Sequence, residues 1–334
     1  MPRRFFTGAG EPVEPSVYRE FDTLNQAQYE TDEHMDPKSE AALNDIDFES
    51  LKNIFFEDAR RAGVTKNDLN FLEKDAIKTT SHGLPTGEGE VGKGGEYKYV
   101  GNIILLDSQA LTQLAERWGI PYKLFLLRLL CHEQTHATGL VEHTGVIEAY
   151  GDRAEESLST YGVTQKTGID TRTYKLVGES FTAHRVFELL EEGIVEKSAQ
   201  EKFVEYLRRN PDFAAPHDIT KFFEVQKTKQ NFGIYPATMD MVEIFSGIVS
   251  LTTGVSRQTV WHGMKRAHYE GVNLFDPKVY DILTQALDPK LLEQISTAQS
   301  ERDMANFAHE IYKKLSPKDR EACVRWAELY IRHT

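Results

Sequence analysis

The amino-acid sequence predicts an α+β chain, predominantly helical, with a small sheet ahead of a central buried helix and a helical lobe towards the C-terminal end. Three observations predict this class. Residues 122–131 are apolar nearly all round, interrupted only by Lys123 and Arg128, which is the pattern of a helix inside a core. Residues 97–106 are rich in β-branched and aromatic side chains and read as a strand. Beyond about residue 198, Asp276-Pro277, Asp288-Pro289 and Ser316-Pro317 each set a capping residue before a proline, the signature of a helix start.

The elements follow in order. Residues 1–43 are polar, acidic and punctuated by proline, and are expected to form a poorly ordered tail. Ile46, Phe48, Leu51, Ile54, Phe55 and Ala59 then recur at helical spacing up to Gly63. The glycine-rich stretch 80–95 reads as a flexible loop. Within it, residues 87–92 match the GxGxxG pattern, and Lys93 extends the match to GxxxxGK. Neither match carries nucleotide binding. No strand precedes it, no helix follows, Gly94 stands where a phosphate loop needs Ser or Thr, and Glu88 and Glu90 would repel a phosphate.

After the strand at 97–106, Asp107 or Ser108 caps a helix that ends at Gly119. Gly119-Ile120-Pro121 breaks the chain and places Pro121 in the first turn of the central helix, which should stop at Gly139. Residues 157–164 and 172–177 are β-prone runs around Gly168 and read as a hairpin. Phe181, His184, Phe187, Glu188, Glu191 and Glu192 then mark the turns of a further helix. The expected organisation is a tail over residues 1–43, a site-bearing domain over 44–200 and a helical lobe over 201–334. The lobe either closes one side of a cleft or, over 240–334, serves as an interaction module.

The chemistry is concentrated in His132-Glu133-Gln134-Thr135-His136, an HExxH motif at the end of the central helix. Residues four apart on a helix share a face. His132 and His136 can therefore offer two imidazole nitrogens to one metal ion, and Glu133 can reach a water beside it. Two histidines and a glutamate at the end of a buried helix need partners, and a metal would satisfy them. His184, His217, His262 and His268 are isolated, and structural or surface roles are their default. Cys131 abuts His132 but points away from the histidine face, so it reads as a small buried apolar residue.

A third ligand would complete the set, and two places offer one. The run from His132 through Gly139 to Glu142 is similar in spacing to the long metzincin motif, with Glu142 at the third-ligand position and His143 beside it. The run Glu191-Glu192-Gly193-Ile194-Val195-Glu196 resembles the second signature of the gluzincins, the metallopeptidases that add a downstream glutamate to HExxH. The resemblance spans roughly residues 97–200. It differs in having Glu191 where asparagine is common and a separation of 56 positions from His136 to Glu192. It implies a zincin-like catalytic domain with a small edge sheet, with Zn2+ held by His132, His136 and Glu192. Glu196 would be the acidic partner of a ligand histidine, and Glu133 the general base. It further implies a downstream oxyanion donor, for which Tyr235 or His268 is the candidate. A peptide or protein substrate would lie along the strand that precedes the HExxH helix. The alternative reading keeps the fold and the metal but not the catalysis: a non-catalytic, metal-stapled binding protein.

Composition excludes other classes. The chain has 39 Lys+Arg against 52 Asp+Glu, a net charge of −13, and such a chain repels nucleic-acid phosphates. Its longest apolar run contains Arg128, so no membrane span is expected. Residues 1–15 lack the apolar region of a secretory signal. The chain holds 2 cysteines, Cys131 and Cys323, too few for a disulfide framework, and a cytoplasmic location is expected.

Overall fold

The computed structural model describes residues 30–64, 69–84, 94–99, 101–144, 188–228 and 236–271, with shorter stretches elsewhere. Among the described residues the chain is mostly helical, with strands grouped into small sheets. The α+β, predominantly helical class expected from the sequence is the one observed.

In chain order, strand β1 (Arg3–Phe6) comes first, followed by helix α1 (Pro37–Asn44). β1 and all but the last residue of α1 lie within residues 1–43, the segment expected to be a poorly ordered tail. Asp36 caps α1 by accepting from the Ser39 amide, and Pro37 stands at its start. The segment ahead of α1 is tied to the sheet, since the Asp32 amide donates to Thr79 O at 2.9 Å. Helix α2 (Phe48–Arg61) is capped by Asp47, buries Leu51, Ile54 and Phe55, and is followed by Gly63 at φ 89°.

Strands β2 (Ile77–Thr80), β3 (Gly95–Lys98) and β4 (Ile103–Asp107) form a mixed sheet in the order β2-β4-β3. β2 runs parallel to β4 and β3 antiparallel to it, so β3 lies at an edge. The single strand expected over residues 97–106 is thus a hairpin. Gly101 at φ 103° and Asn102 at φ 53° reverse the chain, and these two residue types tolerate positive φ best.

Asp107 caps helix α3 (Ser108–Trp118), which ends at Gly119 in the left-handed conformation, as the sequence indicates. Pro121 precedes helix α4 (Tyr122–Thr138) as its N-cap, one residue earlier than expected. Leu124, Phe125, Leu126, Leu127, Leu130 and Cys131 of α4 are buried in the main core. Burial pushes the Cys131 thiol up to about 12, so it packs as an apolar group.

Strands β5 (Val141–Thr144), β6 (Ala149–Tyr150), β7 (Arg153–Ala154), β8 (Leu158–Tyr161), β9 (Thr164–Thr167) and β10 (His184–Val186) follow. The five-stranded sheet has the order β1-β5-β8-β9-β10, and β6 pairs with β7. The hairpin expected between 157–164 and 172–177 is instead made by β8 and β9; residues 172–177 lie outside the described residues. His184 sits in β10, not in the helix expected to pass through it.

Helix α5 (Glu188–Arg209) runs without interruption through residue 200, so the expected domain boundary falls inside an element. Helices α6 (Pro216–Thr228), α7 (Pro236–Thr253), α8 (Arg257–Glu270) and α9 (Pro289–Thr297) follow, and described residues between 302 and 318, Pro317 among them, are also helical. α9 starts at the Asp288-Pro289 signature. Asp276-Pro277 lies outside the described residues.

Helix α5 packs between α4 and α7, and α2 and α8 also lie against it. Phe222 of α6 meets Phe125 of α4 edge-on at a centroid distance of 6.1 Å and Phe203 of α5, tilted, at 4.9 Å. Beside them sits a buried ionic cluster. Asp58 of α2 accepts from Lys265 Nζ at 2.5 Å and Tyr269 Oη at 3.0 Å, with Lys202 Nζ at 3.3 Å. Burial alone would raise the Asp58 carboxyl. The two ammonium groups outweigh that and hold it far below the usual carboxylate range. No helix among the described residues is long and apolar enough to cross a membrane.

Candidate metal centre

Helix α4 presents His132 and His136 one turn apart, as the spacing requires. Thr135 and Thr138, which cap poorly inside a helix, turn their hydroxyls back onto Cys131 O and Gln134 O at 2.7 and 2.9 Å. Gln134 is fully buried and locks α4 to the chain ahead of β2. Its side-chain oxygen accepts from the Leu72 amide at 3.0 Å, and its NH2 donates to Leu72 O at 2.5 Å. The motif's inner residues therefore hold the helix, while its outer residues face the site.

Helix α5 delivers Glu192 to the same place. The Glu192 carboxylate lies 3.7 Å from His132 Nε2 and 3.4 Å from His136 Nε2, and the two imidazole nitrogens are 3.2 Å apart. At these separations one ion can touch all three donors, and the three side chains form a group able to hold a metal ion. Each is partly open to solvent, with side-chain exposures of 13% for His132 and 23% for both His136 and Glu192. Burial pushes the His136 pKa down, but the Glu192 carboxylate, with Glu133 and Glu191 behind it, more than reverses this and brings it up to about 9.

Supporting contacts surround the three. His132 Nδ1 lies 2.8 Å from Glu196 Oε2, one turn further along α5, as the resemblance implied. With the proton on Nδ1, the Nε2 lone pair faces the metal position. Glu196 is itself gripped by Arg128, one turn before His132 on α4. Both are nearly fully buried. Arg128 is a site residue that the sequence flagged only as an interruption in an apolar run. The signal was there: a buried guanidinium demands a carboxylate.

Glu133 points to the edge strand. Its Oε2 accepts from the Tyr97 amide at 2.7 Å, which fixes a carboxylate whose charge acts on His136 and leaves its other oxygen unspent by that bond. Tyr97 was not anticipated, because a backbone donor leaves no residue-type signature.

His268 is not positioned as an oxyanion donor. Its Nε2 lies 2.9 Å from Thr135 O and its Nδ1 bonds the Glu191 carboxylate, so both ring nitrogens are committed inside the core. Tyr235 and the side chains of Glu142, His143 and His184 lie outside the described residues; the backbone at 142–143 belongs to β5. His217 is an exposed residue beside Asp218.

A cleft of about 900 Å³ opens on the other face of α5, lined among others by Lys197, Glu201, Glu243 and Lys265. Glu201 is nine residues from Glu192, half a turn away on the helix surface. Its charged groups pair with one another: Lys197 with Glu243 at 2.7 Å, and Lys265 with Glu201 at 2.5 Å. None of the metal-centre residues lines it.

No protein-family model, curated protein sequence or solved structure matches this chain.

Proposed function

We propose that this chain is a zinc-dependent metallopeptidase of gluzincin type. The observation that carries the reading is the convergence of His132, His136 and Glu192 from two helices, with Glu133 held beside them by the Tyr97 amide. Zinc bonds to nitrogen and carboxylate oxygen are about 2.0–2.1 Å long, so tetrahedral donors sit about 3.3–3.4 Å apart. The separations of 3.2, 3.4 and 3.7 Å match that spacing without rearrangement of the helices. Two imidazoles and one carboxylate are also the donor set of hydrolytic zinc, which keeps its fourth position for water.

Bound there, the ion would supply an activated water near neutral pH and a Lewis acid for a peptide carbonyl. The residues of the chain do the rest. Glu133 takes the proton of the attacking water and returns it to the leaving amine. Glu196 holds the ring of His132 in the orientation that directs Nε2 inward, and Arg128 holds Glu196. β3, at a sheet edge with its Tyr97 amide turned towards Glu133, offers backbone groups to which an extended peptide can add as a further strand. A chain with 2 cysteines suits the reducing cytoplasm, where a peptide or protein substrate would be met.

The test is a pair of substitutions assayed for metal content and peptide hydrolysis. Glu133→Gln should keep stoichiometric zinc and lose at least about 10²-fold in rate. Glu192→Ala should lower zinc occupancy. Wild-type zinc content in Glu192→Ala, or full activity in Glu133→Gln, would overturn the assignment.

A further inference from the structure

His268 belongs to α8, 76 residues beyond Glu192, and nothing in its local sequence connects it to metal chemistry. Its ring nevertheless touches both helices that bear the candidate ligands. Nε2 lies 2.9 Å from the carbonyl of Thr135. A carbonyl only accepts, so Nε2 carries a proton. Nδ1 bonds the carboxylate of Glu191. Thr135 immediately precedes His136, and Glu191 immediately precedes Glu192. One imidazole therefore spans the gap between the two ligand-bearing helices, one residue back from a ligand on each.

The surroundings are shaped for that ring. A Cβ at Gly139 would stand 2.5 Å from His268 Cε1 and 2.8 Å from Nε2, so the residue that ends α4 must be glycine for the ring to reach Thr135. The backbone repeats the link, because the Leu140 amide donates to His268 O at 2.9 Å. His268 is 1% exposed, so no water competes for these bonds.

We propose that His268 is a positioning residue of the metal centre, bracing α4 against α5 so that the donors of His136 and Glu192 are held 3.4 Å apart. The proposal rests on the metal reading above. Metal sites tolerate ligand displacements of only about 0.2 Å, and removal of a supporting partner typically weakens metal binding about 10–100-fold.

The experiment uses the full chain and three variants: His268→Ala, His268→Gln and Gly139→Ala. Zinc affinity is measured by competition with a chelator. Co2+ substituted for zinc reports donor geometry through its visible absorption, and thermal unfolding of the metal-stripped proteins reports packing separately. His268→Ala and Gly139→Ala are expected to weaken zinc about 10–100-fold and to alter the Co2+ bands. His268→Gln, whose amide can still donate to Thr135 O, is expected to recover part of both. If the His268 variants only lower the melting temperature, with zinc affinity and Co2+ bands unchanged, His268 is a packing residue and the proposal fails alone. If His268→Ala does not fold, the other two variants decide by the same readouts. If the wild-type chain binds neither Zn2+ nor Co2+, the metal reading fails and this proposal falls with it.

Discussion

Replacing Gly193 by alanine sets two energetic terms of opposite sign against each other at the residue next to Glu192. Gly193 lies inside α5, where alanine is favoured over glycine by about 1 kcal/mol. The added methyl, however, would stand 2.5 Å from Thr238 O, 2.8 Å from Val242 Cγ2 and 2.9 Å from Thr238 C, all in α7. Ordinary contact begins at 3.4 Å, so α7 must retreat by about 0.9 Å, and the obstacle is backbone, which cannot rotate away. Overpacking of this kind costs about 1–3 kcal/mol. Packing therefore wins, and Gly193→Ala should destabilise the metal-free protein by up to about 2 kcal/mol. Whatever share of that shift of about 0.9 Å is taken up by α5 instead of α7 carries Glu192 with it, and more than about 0.2 Å exceeds the tolerance of a metal site and should weaken zinc at least about tenfold. Gly263 in α8 provides the control, because a Cβ there meets nothing within 4 Å. Gly263→Ala should stabilise by about 0.5–1 kcal/mol and leave zinc unaffected. Denaturant unfolding and chelator competition on both variants make the assay. If Gly193→Ala stabilises as Gly263→Ala does, with zinc affinity intact, the close approach of α5 and α7 has been misjudged.

Two further outcomes are expected. Asp58→Ala strands Lys202 without its buried carboxylate and leaves Lys265 with Glu201 alone, and should cost about 3–5 kcal/mol in denaturant unfolding. Because the folded-state pKa of Asp58 is depressed, its contribution is present above the ordinary 3.8 and lost as pH falls below it, so the variant should show a flatter acid limb; an unchanged limb would contradict this. In the metal-free protein the His136 pKa is up at about 9, so at neutral pH an incoming ion must displace a proton. Apparent zinc affinity should rise about tenfold per pH unit up to about 9, with one proton released per ion; a calorimetric titration in two buffers showing no proton release would refute this.

The site was more legible than its supports. His132 and His136 share a face because a period of 3.6 residues fixes which side chains do so, whereas the meeting of Glu192 and Glu196 with them was implied only by the gluzincin resemblance of the later run. The helix ends at Gly63 and Gly119 were readable from the need for positive φ. The break inside residues 97–106 was also written in Gly101-Asn102, but the apolar density on either side masked it. The same holds for α1. Its Asp36-Pro37 start is the signature recognised at Asp288-Pro289, overlooked because acidic composition dominated the reading of that segment. Arg128 was visible as a misfit and needed only its partner. His268 and Tyr97 were beyond reach. One acts across 133 residues through a ring whose target is a carbonyl, and the other acts through an amide that any residue but proline would supply.

Cys131 turns its inert chemistry into an experimental opportunity. Its sulfur is sealed one residue before a ligand and held as a thiol, so alkylating reagents can reach it only when α4 opens. In a Cys323→Ser background the chain carries one thiol, and its modification rate becomes a stopwatch on the motion of the HExxH helix. Any ion that clasps the two helices together should slow that clock, giving a signal that needs neither a substrate nor a chromophore.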